Sequence, residues 1–307
     1  MSNWMFRRAT DILLALIVMV VLLWYILTQP VFSFSLGASA LDNIEKQAFV
    51  QSRQELLSIY ASTDNVSDIF DATSDFLFDR LSKLGVAEQL DRGGGQRVIK
   101  MSLGTASENK LLITLHYVVL DHPLTEPLTA TTALLELASQ LSTKKETALQ
   151  LELSIFLHRA DDLLDSLINA SLYQVEQMEQ YNPETSTILL LMPGMNTPYA
   201  AYMGGQWRYL NLLMPSSRSE LALYGRLDDT KSLRKLKKAL NQQGLNSIAS
   251  LSIPVHLPGV QPSPLKQYWD RGLPAFLMQT HMLLHDQDYR QHARFVKAFN
   301  ALVETGY

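Results

Sequence analysis

The chain has 307 residues, 47% of them hydrophobic, and a formal net charge of −4. This is enough to bury one large core of about 270 residues beyond the N-terminal segment, and the charge balance leaves no basic footprint for nucleic acid, so no nucleic-acid partner is expected. There are no cysteines, which excludes disulfides and thiolate metal sites and leaves the compartment open.

Residues Ile12 to Leu27 form an uncharged apolar run of sixteen. As a helix, residues 9–28 would cover roughly 30 Å, one hydrocarbon core. Arg7 and Arg8 precede the run, no Lys or Arg follows until Lys46, and Trp4, Trp24 and Tyr25 sit where interfacial aromatics belong. The expectation is a single-pass transmembrane anchor at 9–28 that contacts the membrane, a cytoplasmic N-terminus at 1–8, and a main domain that is periplasmic or otherwise extracytoplasmic. Ala38 and Ala40 offer a signal-peptidase-like site, but signal h-regions are shorter, about 7–15 residues, and lie close to the cut. Sequencing of the mature N-terminus is expected to find the anchor retained; a start at Leu41 would make the segment a cleaved signal.

Residues 29–66 read as a stalk or linker, with a helix over Leu41 to Tyr60. The domain is expected over 67–307. Ser67 to Leu84 has an amphipathic helical pattern with Ser67 as N-cap and Gly85 as its stop. The glycines Gly93, Gly94 and Gly95 make a turn, because no helix start or Lys-Ser/Thr follows to make a phosphate loop. Val98 to Leu103 and Leu111 to Leu115 read as neighbouring strands joined by the polar turn Gly104 to Lys110.

The unit Leu111 to Leu141 organises the rest. An apolar, β-branched strand ends in His116, a loop runs to Leu128, and a helix follows with Ala130, Ala133, Leu134, Leu137, Ala138 and Leu141 on one face, capped by Thr129 or Thr131. Ligands of open α/β sheets sit beyond the carboxyl ends of strands, so His116, Asp121, His122 and Glu126 are candidate functional residues. Further on, Leu151 to Leu157 is a strand, Leu163 to Met178 a helix and Thr187 to Met192 a strand. Tyr199 to Leu213 is a helix, Glu220 to Tyr224 a strand, Lys231 to Gln243 a helix, Ala275 to Met278 a strand, and Tyr289 to Val303 a closing helix. The alternation predicts an α/β three-layer sandwich with a mainly parallel mixed sheet covered on both faces. The Lys231 to Lys238 run, KSLRKLKK, reads as a solvated helix face.

In this order the pieces resemble the di-zinc aminopeptidase family, which includes bacterial leucyl aminopeptidases, glutaminyl cyclases and the luminal subunit of the GPI transamidase. The likeness runs from about Asp75 to the C-terminus. It rests on FLFDRLSKLG before the first strands, His116-Tyr117-Val118 matching a His-Tyr-Asp strand end, the ALLELA helix at Ala133 to Ala138, Trp269 to Ala275 matching a Trp-Asp-x-Gly-Ile-Pro-Ala segment, and the closing helix Asp288 to Val303.

The resemblance implies a zinc-aminopeptidase-like fold in which most ligands have been replaced. His116 matches the first metal-binding His, but the Asp two residues later is Val118. The bridging Asp falls at Glu126, the Glu-Glu pair near Arg159-Ala160 with Asp161 and Asp162 a short slip away, and a strand-end Asp at Leu191. The late Ser-Asp-His motif becomes Ser263-Pro264-Leu265, and a terminal His is left to His281 or His285. A two-metal hydrolase needs ligands for both ions and a base for the attacking water. No catalytic residue, cofactor or metal is therefore expected, with His116, Asp121, Glu126, Asp161 and Asp162 forming a vestigial pocket. The function implied is a membrane-anchored, exported pseudoenzyme that binds or scaffolds a protein or peptide partner. The alternative is an active zinc aminopeptidase using His116, Glu126, Asp161 and His285. Ordinary roles stay open for each: a hydrogen-bonded strand-end histidine, loop carboxylates, and a helix-start cap for Asp161, Asp162 and Asp165.

Overall fold

The apolar run at Leu111 sets the architecture, because a strand with no polar side must be covered on both faces. In the computed structural model, residues 11–23, 43–63, 65–93, 95–123, 125–144, 146–159, 163–178, 184–191, 221–242, 245, 248–253, 265–280 and 289–306 are described. They form helices α1 (Asn43–Ser62) and α2 (Val66–Ser82), strands β1 (Ala87–Gly93), β2 (Gln96–Leu103) and β3 (Lys110–Val119), helix α3 (Thr125–Ser142), β4 (Gln150–Arg159), α4 (Leu163–Gln177), β5 (Ser186–Leu191), β6 (Leu221–Arg226), α5 (Thr230–Gln242), β7 (Ile248–Ile253), α6 (Leu265–Trp269), β8 (Ala275–Thr280) and α7 (Tyr289–Thr305).

The eight strands make one sheet in the order β1-β2-β4-β3-β5-β8-β6-β7. Parallel pairings join β3 to β4, β3 to β5, β5 to β8 and β6 to β7; β1 to β2, β2 to β4 and β6 to β8 are antiparallel. Strands β2 and β3 are consecutive but not neighbours, contrary to the sequence expectation, because β4 inserts between them. A polar turn marks where a strand ends and carries no information about which strand pairs beside it.

One face of the sheet carries the main core. Leu111, Ile113, Leu115, Tyr117 and Val119 of β3, with Leu151, Leu153, Ile155 and Leu157 of β4, pack with residues of α2, α3, α5 and α7. The other face holds Val98, Phe156, Ala170 and Tyr173 in a smaller cluster beneath α4. Leu134, Leu137 and Leu141 are buried in the main core as their spacing predicts. Leu137→Ala is expected to cost about 2–5 kcal/mol, as truncation of a fully buried Leu does. Chemical denaturation would measure it, and a change under about 0.5 kcal/mol would mean the face is wrong.

Several boundaries differ from the sequence reading. Helix α2 is capped by Asn65, whose side chain accepts from the Ser67 backbone N–H at 2.9 Å, so Ser67 is not the cap. Helix α3 begins at Thr125, which puts Thr129 and Thr131 inside it. Pro127 is tolerated because N–H groups of a first turn have no partner in any case, and the Thr131 hydroxyl donates back to the Pro127 carbonyl at 2.7 Å. Strands β1 and β7 were not foreseen; β1 is a mostly exposed edge strand with no apolar run to announce it. The glycine turn does join β1 to β2, with Gly93 and Gly95 at φ 74° and 75°, and a Cβ at Gly95 would lie 3.0 Å from Arg159 Nε.

Helix α1 is docked on the domain and does not stand off as a stalk. Phe49 and Leu56 are buried, the Phe49 ring lies 4.8 Å from that of His292 in α7, and the Tyr60 and Tyr117 hydroxyls are 3.0 Å apart. Arg80 of α2 also pairs with Glu55 of α1. Residues 11–23 are helical with every side chain exposed. Among the described residues no helix is long and apolar enough to cross a membrane; the expected span at 9–28 extends past that segment at both ends. The helix expected at Tyr199 to Leu213 lies outside the described residues.

Candidate functional site

Strand β3 does not end at His116. It runs to Val119, because Tyr117, Val118 and Val119 are β-formers buried on both faces. The loop expected from His116 to Leu128 shrinks accordingly, and His116 becomes an interior residue of the sheet, 3% exposed. Strands β3 and β4 run in parallel register with His116 beside Phe156 and Val118 beside His158. Residues 114, 116 and 118 of β3 and 154, 156 and 158 of β4 thus share the face that α4 covers.

On that face a relay of polar side chains lies beside the smaller apolar cluster. His116 Nδ1 lies 3.0 Å from His158 Nε2, and His158 Nδ1 lies 2.6 Å from the Ser166 hydroxyl of α4. Gln96 of β2 donates to the Ser166 carbonyl at 3.0 Å. The His116 ring is near-parallel to those of Phe156 and His158, at 5.4 and 5.2 Å. Below the relay, Gln174 Nε2 donates to the Thr114 hydroxyl at 2.7 Å, and the Tyr268 hydroxyl donates to Gln174 Oε1 at 2.6 Å.

The outer nitrogen of the relay, His116 Nε2, is buried with no hydrogen-bond partner among the described residues. An orphaned N–H costs its full desolvation, whereas a bare lone pair is the cheaper end to leave unpaired. The tautomers that follow have His116 Nδ1–H donating to His158 and His158 Nδ1–H donating to Ser166. Burial holds both rings neutral: it pushes His116 down to about 3, and burial, with His116 beside it, holds His158 well below the usual range.

The structure does not gather the predicted site residues around His116. Asp121 lies on the exposed loop after β3, its carboxylate 2.6 Å from the His122 ring, and both side chains face solvent. Glu126 lies in the first turn of α3, and its side chain is outside the described part. Asp161, Asp162, His281 and His285 also lie outside the described residues, as do Ser263 and Pro264. Val118 is buried at 3% exposure. Arg159, at the β4 terminus, is partly buried, with its guanidinium 5.6 Å from the Phe70 ring. Among the described residues no three His, Cys, Asp or Glu side chains are placed to hold a metal ion.

His158, Ser166, Gln174 and Tyr268 were missed by the sequence reading. A signal for His158 existed: Ile113-Thr114-Leu115-His116 and Ile155-Phe156-Leu157-His158 are the same pattern in two adjacent parallel strands, two residues out of step, which puts both rings on one face. A second buried polar contact joins Lys237 of α5 to the Ser250 hydroxyl at 2.7 Å. Lys237 is 1% exposed, so one member of the expected solvated run points inward, and burial pushes its amine down to about 8.

Solved structures share this architecture. A candidate Zn-dependent exopeptidase from Bacteroides vulgatus is 15% identical with a TM-score of 0.53, over 89% of this chain and 100% of that one. A Zn-dependent exopeptidase from Parabacteroides distasonis is 13% identical with a TM-score of 0.52, over 87% and 100%. The glutaminyl cyclase of an Acidobacteriales bacterium is 11% identical with a TM-score of 0.53, over 88% and 97%. No protein-family profile and no curated protein sequence matches the chain. The mixed sheet with helices on both faces therefore has the zinc-exopeptidase-like fold, the fold that the sequence resemblance implied. At these identities the likeness concerns the fold alone, and peptidases and glutaminyl cyclases both use it.

Proposed function

We propose that this protein is a membrane-anchored, exported pseudoenzyme whose exopeptidase-like domain binds or scaffolds a protein or peptide partner. The observation that carries the reading is Val118. Where the resemblance calls for a carboxylate two residues beyond His116, the side chain is apolar, buried and in register with His158. The retained His116 has one ring nitrogen committed to His158. Its neighbourhood on the sheet supplies neutral side chains, so a pair of divalent ions would lack the negative charge that normally offsets their mutual repulsion and lost hydration. Loss of a general base alone typically costs about 10²–10⁴ in rate.

One observation favours a second reading. The bare lone pair on His116 Nε2 is in the state a zinc ligand requires, and a mononuclear site with Glu126, Asp161 and His285 is the alternative. The full chain, purified from membranes in detergent, decides between them by metal content and by aminopeptidase assay with added zinc. Substoichiometric zinc and no turnover are expected. Zinc near one or two ions per chain, with turnover that disappears in both His116→Ala and Glu126→Gln, would sink the pseudoenzyme reading.

A further inference from the structure

Helix α5 carries a cationic stripe that the pocket does not use. Lys231, Arg234, Lys235 and Lys238 are all exposed, and at about 100° per residue they fall within one arc roughly 100° wide over two turns. No acidic residue lies within α5 to offset them. The opposite side of α5 is fixed, with Leu233, Leu236 and Leu240 buried in the main core, so the stripe cannot turn inward. In a chain of net charge −4 this is a local reversal of sign.

The path of the chain indicates what faces it. Helices α1, α2, α3, α5 and α7 all lie on the same face of the sheet. The N-terminal half of α1 is placed over α7 by the Phe49–His292 ring contact, and α7 packs beside α5. The chain therefore enters the domain on the face that carries the stripe. Between the expected span ending at residue 28 and the start of α1 at Asn43 lie 14 residues, residues 29–42. Fully extended they reach at most about 50 Å, which keeps the domain near the bilayer and makes contact with it an intramolecular event.

We propose that the α5 stripe docks the domain on anionic phospholipid headgroups of the membrane that holds its anchor. The proposal rests on the anchored reading above. Cations beside an anionic bilayer contribute individually and their attraction fades within a Debye length, so docking is set by lipid charge and reversed by salt. It also fixes the orientation of the domain relative to the bilayer.

The cysteine-free sequence permits a single reporter. Gln242→Cys lies on the same exposed stripe and accepts one fluorophore in the full chain, reconstituted into vesicles that carry headgroup quenchers. Vesicles are made from phosphatidylcholine alone or with phosphatidylglycerol. Expected results are co-flotation with both, at least severalfold stronger quenching with the anionic lipid, and loss of that difference in high salt and in a Lys231→Glu, Lys235→Glu, Lys238→Glu variant. Failure to float with neutral vesicles overturns the anchor and the docking together. Flotation with equal quenching in both lipids overturns the docking and leaves the anchor standing. Lipid-dependent quenching that survives the charge reversal overturns the assignment to α5. An equal response to soluble polyglutamate over neutral vesicles would assign the stripe to an acidic protein partner and overturn the lipid.

Discussion

Acidification is expected to remove several kcal/mol of stability through the two buried histidines. An exposed imidazole titrates near 6.5, and burial pushes His116 down to about 3 in the folded chain. Between those values the unfolded chain binds a proton that the folded chain refuses, so the unfolded state gains as pH falls. The contribution of the neutral ring is thus complete above about pH 6.5 and declines down to about pH 3. At about 1.4 kcal/mol per unit, a depression of this size is worth roughly 5 kcal/mol. His158 shifts in the same direction. The two rings share one hydrogen bond, so their effects are not additive. Protonating His158 also breaks the relay, because its Nε2 can then no longer accept from His116, whereas a proton on His116 enters at the buried Nε2 and leaves that hydrogen bond in place. Urea unfolding at a series of pH values measures this. The parent should lose stability steadily between neutrality and about pH 5, above the range of most carboxylates, and a His116→Phe, His158→Met double variant should be nearly flat there. Equal slopes in the two proteins would show that the buried pair does not titrate as its burial requires.

The sheet was legible where apolar runs were continuous and obscure where they were not. Strands β3, β4, β5 and β8 are buried on both faces, and their Leu and Ile content announced them without any alternation. Strand β1, with Glu88, Gln89, Asp91 and Arg92, is held by its hairpin with β2 and by the Arg92 guanidinium lying 3.8 Å from the Tyr173 ring. Those are tertiary contacts that propensity does not encode. Strand β7, with buried serines at 250 and 252, alternates, but Ser250 bonds Lys237 from α5, so the usual in/out reading has the wrong chemistry. At the site, the sequence picked out His116 and the replacement at Val118 but placed the ring at a strand terminus facing a loop. Its actual partner, His158, comes from the neighbouring parallel strand 42 positions on. Register between parallel strands is set by the packed crossover helix and cannot be read from either strand alone.

The relay has a second half whose removal is expected to cost about as much as the acid effect. Gln174 is 3% exposed and holds two other buried side chains: its amide N–H₂ donates to the Thr114 hydroxyl and its carbonyl accepts from the Tyr268 hydroxyl. Thr114 is in the central strand β3, Gln174 in α4 and Tyr268 in α6, so one side chain joins the sheet to both helices of this layer. Gln174→Leu preserves volume and removes the acceptor and the donor together. Two hydroxyls, both fully buried, would then lack this partner; Thr114 loses about 1–3 kcal/mol and Tyr268, which keeps its hydrogen bond with Ser171, no more than that, giving a loss of roughly 2–5 kcal/mol. Gln174→Glu separates hydrogen bonding from packing. The carboxylate still accepts from Tyr268 and can accept from Thr114, but it must be buried as a charge or protonated, so its loss should shrink as pH falls towards the carboxyl range. Replacing all three, as Thr114→Val, Gln174→Leu and Tyr268→Phe, should recover most of the stability lost in Gln174→Leu, because no orphaned hydroxyl remains. Denaturation of the four proteins at neutral pH is the measurement. A triple variant no more stable than Gln174→Leu would mean that packing of the glutamine, and not the hydrogen bonds it satisfies, holds α4 and α6 on the sheet.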